Sequence, residues 1–88
     1  MDDINRSIVK SLSGHDKNKL FIIIEVIEEN YVRYSDGRTR PIERAKLKKL
    51  KHIEVIGKSD LGSEVKLTNK ILREAINRYT DSLALKEE

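Results

Sequence analysis

Nine basic side chains define the chemistry this chain can offer: Lys17 and Lys19, then Arg38, Arg40, Arg44, Lys46, Lys48, Lys49 and Lys51. Seven of the nine fall within residues 38–51, where Glu43 is the only acid, a local balance of +6. The flanks are slightly acidic, with five basic and seven acidic side chains in residues 1–37 and six and seven in residues 52–88. The whole positive excess of the protein, a formal +3, is thus confined to one short segment, the distribution of an interaction surface rather than of a uniformly solvated coat. Arginine presents a planar fork to phosphate and lysine a mobile point charge, so a dense mixture of the two suits a polyanion whose register varies. Leu47 and Leu50 punctuate the run and predict that it touches the fold while its charged tips point outward. If the loop at 14–19 faces the same way, Lys17-Asn18-Lys19 extends the patch with backbone donors as well as charge.

Catalytic chemistry finds no such constellation. The chain has no cysteine, which excludes a disulfide framework and a thiolate metal site. His15 and His52 are distant in sequence and form no ligand spacing. Gly57-Lys58-Ser59 matches the end of a phosphate-binding P-loop, but the glycine that motif requires five positions earlier is His52. Glu28-Glu29 and Glu87-Glu88 read as solvated pairs. The expectation is a protein that is not an enzyme, with no cofactor, no metal and no small-molecule substrate.

The aromatics are Phe21, Tyr31, Tyr34 and Tyr79, expected mainly in the core or half-buried on a sheet. Tyr31 or Tyr34, if exposed, is suited to stack on a base. The start, MDDINRSIVK, is acidic and lacks the apolar run of a signal peptide. Residues 20–24, the longest apolar run, are far too few to cross a bilayer. A cytoplasmic protein with no membrane partner is expected.

The elements that must position these residues follow from periodicity. Residues 7–12 read as a short strand and residues 13–19 as a loop, since Gly14, Asp16 and Asn18 suit turn conformations. Residues 20–28 form the clearest strand, with Leu20, Ile22, Ile24 and Val26 on one face and Phe21, Ile23 and Ile27 on the other. Asn30 marks a turn, residues 31–35 alternate as a strand, and Asp36-Gly37 is the favoured pair for a type I′ hairpin. Residues 39–42 then read as a returning strand at an edge or a bulge, because Pro41 lacks a ladder donor. Residues 45–51 read as a basic connection and residues 52–56 as the last strand. Strands this short, at this spacing, predict a small antiparallel barrel.

The tail switches to a helical period. Thr68 is placed as an N-cap, with Leu67 and Leu72 at hydrophobic-staple positions. Ile71, Leu72, Ala75, Ile76 and Tyr79 form one apolar stripe, expected to cover the face of the second strand that carries Phe21 and Ile23. Residues 86–88 are expected to fray. Residues 1–57 form the barrel, and residues 58–88 a polar loop and a helix packed on it, in one domain. At 88 residues such a chain buries only about 60% of its unfolded surface, so the core is thin.

The stretch Ser7-Ile8-Val9-Lys10-Ser11-Leu12-Ser13-Gly14-His15-Asp16-Lys17-Asn18-Lys19-Leu20-Phe21-Ile22-Ile23 resembles the KOW motif. That motif is a strand, a glycine-containing basic loop and a second strand within an SH3-like barrel. The pattern is similar to small bacterial KOW-domain RNA-binding proteins related to ribosomal large-subunit proteins of archaea and eukaryotes. Its pieces read here as Gly14-His15-Asp16-Lys17, Phe21-Ile22-Ile23, Asp36-Gly37-Arg38 and Lys48-Lys49-Leu50-Lys51-His52, within residues 7–56. The helix opened by Thr68 resembles that family's tail. Asn18 stands where family members usually have glycine, and His15 where they have a basic residue. The resemblance implies RNA binding in translation, with ribosomal RNA, the ribosome or its proteins as partners. The nine basic residues would contact phosphates, and Gly14, Asn18 and Gly37 would shape the loops. The alternative of a different class is a protein-interaction module of SH3-like type in ribosome assembly or transcription.

Overall fold

A computed structural model of the chain describes residues 4–86. Five strands follow one another: β1 (Ser7–Ser11), β2 (Leu20–Ile27), β3 (Tyr31–Ser35), β4 (Lys46–Lys49) and β5 (Ile53–Lys58). One helix, α1 (Asn69–Lys86), follows them. Every strand pairing is antiparallel, in a single sheet of order β4-β3-β2-β1-β5. The mainly β architecture with a C-terminal helix agrees with the expectation from sequence. Closure of a barrel does not: among the described residues no ladder joins β4 to β5, and the sheet is open. The sheet is nevertheless strongly curled. Lys48 Nζ of β4 donates to the Ser13 carbonyl just beyond β1, although β3 and β2 lie between those strands in the sheet. In a flat sheet three strand spacings of about 4.8 Å would put that carbonyl beyond a lysine's reach.

Curling divides the apolar residues into two clusters. The concave side buries Val9, Phe21, Ile23, Val32, Tyr34 and Ile53. The convex side buries Ile8 and Ile22 against Leu72 and Ala75 of α1, with Ile76 and Tyr79 packed around them. This reverses the face expected for the helix, which covers Ile22 rather than Phe21 and Ile23. The physical reason is the pairing of aromatics: Phe21 stacks on Tyr34 at a centroid separation of 4.0 Å and 16° between planes, which claims the Phe21 face for the interior.

The helix begins as its capping residues dictate. Thr68 Oγ1 accepts the N–H of Ile71, and Leu67 and Leu72 belong to the same cluster. Farther along, Tyr79 lies across β5 and donates its hydroxyl to the Ile56 carbonyl at 3.0 Å. Gly57 permits that approach, since a Cβ there would stand 2.8 Å from the Tyr79 ring.

The connections depart further from the expected pattern. The positive φ of the β2–β3 turn falls on Glu28, not Asn30. Asp36-Gly37 is not a type I′ pair, because Gly37 has positive φ and Asp36 does not. Instead the Asp36 carboxylate accepts the N–H groups of Arg38 and Arg40 and the hydroxyl of Thr39, closing a wider loop on its own side chain. Residues 39–42 therefore form no strand; after Pro41 the chain makes a 3₁₀ turn, Ile42–Arg44. The segment expected as a basic connection holds β4 and a second such turn, Leu50–His52. Of the end expected to fray, Lys86 closes α1, and residues 87 and 88, like residues 1–3, lie outside the described residues. No described helix is long and apolar enough to cross a membrane.

Candidate functional site

The loops after β1 and β3 emerge at the same end of the sheet and are fastened together by one buried acid. Asp16, 4% exposed, accepts a hydrogen bond from the Tyr34 hydroxyl at 3.0 Å and an ion-paired one from Arg40 Nε at 3.0 Å. Burial by itself would raise the Asp16 carboxyl. The hydrogen bonds from Arg40 and Tyr34, with the charges of Arg40 and Lys48, outweigh that and hold it below the usual carboxylate range. Burial, together with donation to Asp16, pushes Tyr34 up to about 12. Lys48 binds the Ser13 carbonyl at 3.2 Å, so β4 is tied to the same loop. Gly14, Asn18 and Gly37 all have positive φ, which gives these loops their turns. At Gly37 the demand is double, because a Cβ would also collide with the backbone of Asn69 at the start of α1.

The nine basic residues do not form one patch. Arg40 is committed to Asp16 and Lys48 to Ser13, so these two shape the site. Lys17, Lys19, Arg38 and Arg44 are exposed on the two joined loops. Lys46 is half-buried on the edge strand, on the same side as Lys48 by strand alternation. Lys49 and Lys51 lie toward the far end of β4, around a cavity of about 270 Å³ that also involves Tyr31 and Asn30. Lys49 Nζ stands 5.9 Å from the centroid of the Tyr31 ring, within range of a cation–π contact. Tyr31 is half-buried, whereas Tyr34 is fully enclosed and has no face to offer a base.

Among the described residues, Arg40 alone of the nine forms an ion pair. Glu43, the one acid of the basic segment, is taken by the Asn69 amide at 3.0 Å rather than by a neighbouring cation.

One contributor was missed in the sequence. Arg73 of α1 joins Lys19 and Arg38 around an open cleft of about 380 Å³ between the 36–39 loop and the helix. Asn77 and Thr80 continue that wall. Their spacing, i, i+4 and i+7 from Arg73, makes a polar stripe beside the apolar one, and that spacing was the available signal. The docking that brings the stripe to the loop comes from contacts distant in sequence: Arg73 Nη1 donates to the Gly37 carbonyl at 2.7 Å, and Asn69 Oδ1 accepts the N–H of Ile42.

His15 is exposed and His52 half-buried, and no group of three His, Cys, Asp or Glu able to hold a metal occurs among the described residues. What the arrangement offers chemically is a set of cations without ion-pair partners among the described residues, on loops tied together through Asp16, a means of binding anions. No family model matches the chain, and no curated protein matches it.

Proposed function

We propose that this protein binds RNA without catalysis and acts in translation, gripping ribosomal RNA or the ribosome in the cytoplasm through the basic segment 38–51 and the loop before β2. The observation that carries this is the lack of compensation: among the described residues eight of the nine basic side chains have no ion-pair partner, and the segment's own acid is engaged elsewhere. Exposed cations held apart from acids gain little within the fold and much from a polyanion, whose condensed counterions they release. We read the fold as an SH3-like, KOW-type arrangement of strands whose barrel stays open between β4 and β5. Supporting that are the five-strand order, in which β1 pairs with both β2 and β5, and the glycine-containing basic loop between β1 and β2. Tyr31, which lines one cavity with Lys49 and Lys51, would stack on a base of a single-stranded segment.

The test is binding to a single-stranded oligoribonucleotide across a salt series. With four to six phosphates neutralised, the logarithm of affinity should fall against the logarithm of salt with a slope of about −3 to −4. The exposed pair Lys49→Glu and Lys51→Glu should weaken binding at least tenfold at low salt, and wild-type protein should co-sediment with large ribosomal subunits and release as salt rises. Affinity that persists in high salt would sink the reading and favour a protein-interaction module.

A further inference from the structure

We propose that the cleft between the 36–39 loop and α1 seats one nucleotide of the bound strand, its phosphodiester held by Lys19, Arg38 and Arg73. The inference rests on the RNA-binding reading and adds α1 to the contact surface. Three cations from three separate segments, the end of the first loop, the second loop and the helix, converge on this cleft. Cations repel, and none of the three forms an ion pair among the described residues. Their convergence is therefore a local cost that an anion would relieve.

Asp36, the one acid among the described residues at the cleft, leaves the three cations in excess. Asp36 turns both carboxylate oxygens into its own loop, one to the N–H groups of Arg38 and Arg40 at 2.9 Å each and the other to the Thr39 hydroxyl at 2.8 Å. Arg73 is positioned without being used up. One nitrogen is fixed on the Gly37 carbonyl, which orients the guanidinium plane and leaves its other donors for a phosphate oxygen. Leu20 and Ile76, both half-buried, give the cleft an apolar wall against which a sugar or base can lie. Three cations, two apolar residues and a volume of about 380 Å³ suit a nucleotide better than a bare inorganic anion.

Asn77 provides the test, because it lines the cleft, is exposed, and only its backbone carbonyl, which accepts from the Thr80 hydroxyl, takes part in a side-chain hydrogen bond among the described residues, so substitutions there keep the fold. Binding of a labelled single-stranded oligoribonucleotide of mixed sequence is measured by fluorescence anisotropy over a salt series. Asn77→Glu should weaken binding about tenfold at low salt, and Asn77→Lys should strengthen it and steepen the salt slope by about 0.7. Arg73→Gln should make the slope shallower by a similar amount. Wild-type affinity and slope in both Asn77 variants would overturn the cleft while leaving the RNA reading intact. Absence of any salt-dependent binding by the wild-type protein would instead overturn the reading on which the cleft rests.

Discussion

At the scale of single residues, Asp16 shows how a charge can be structural while its neighbours are available for binding. Its carboxylate is buried and depressed, so the folded state holds its proton less tightly than the unfolded chain does. The stability this contributes is present above the unfolded value near 4 and is lost as pH falls through the folded value. Arg40→Gln removes the charge-assisted partner and should cost about 2–4 kcal/mol at neutral pH. Thermal melts of wild-type and variant proteins should begin to converge as pH drops below about 4 and meet only once it has fallen past the depressed folded value of Asp16 in the wild type. A gap that stayed constant down to about pH 2.5 would show that Arg40 stabilises the fold by packing alone. The partnership spans 24 positions, so the sequence displayed Arg40 among the basic residues with no sign that it was already engaged.

At the scale of elements, what was legible was local. The bounds of β1, β2 and β3 and the Thr68 cap follow from alternation and capping, which involve near neighbours. The face of β2 toward the helix was not legible. Both faces of β2 are apolar, and the choice depends on Phe21 meeting Tyr34 and on Ile22 meeting Leu72. The segment after β3 misled for a similar reason: Asp-Gly favours a tight hairpin locally, but the Asp36 side chain closes a longer loop. Lysine-rich β4 read as a connection because its composition hides a pairing set by β3. The candidate site divides along the same line, since the loop cations were visible and the docking of Arg73 beside them was not. Gly57 is the element-scale test. Gly57→Ala drives a methyl group into the Tyr79 ring and should cost about 1–3 kcal/mol, read as a lower denaturant midpoint. Pairing it with Tyr79→Ala should remove most of that extra cost, whereas additive losses would place the strain elsewhere.

For the whole molecule, the single sheet serves two apolar clusters, one on each side, and α1 covers the convex one together with Ile42, Leu61 and Leu67. A thin core leaves little margin when one layer is removed. Truncation after residue 67 should expose Ile8 and Ile22 and abolish cooperative unfolding, monitored by near-ultraviolet circular dichroism. A truncated chain as stable as the full one would mean that α1 is an appendage. The same dependence joins folding to binding, because α1 supplies both the convex cover and the Arg73 side of the cleft.

The open sheet has a bearing on self-association. Its two edges, β4 and β5, have no strand paired on their outer side among the described residues, and each displays a large exposed apolar residue, Leu47 and Val55. Such edges are templates for pairing with another copy of the chain, and charges spaced along them are what prevents it. On β4 the guard consists of Lys46, Lys48 and Lys49 around Leu47. Deleting those charges to probe RNA contacts would also unmask the edge, and lost binding would be confounded with aggregation. Reversing their sign disturbs the contact with RNA and keeps the edge repellent, so glutamate separates solubility from recognition at this strand where alanine does not.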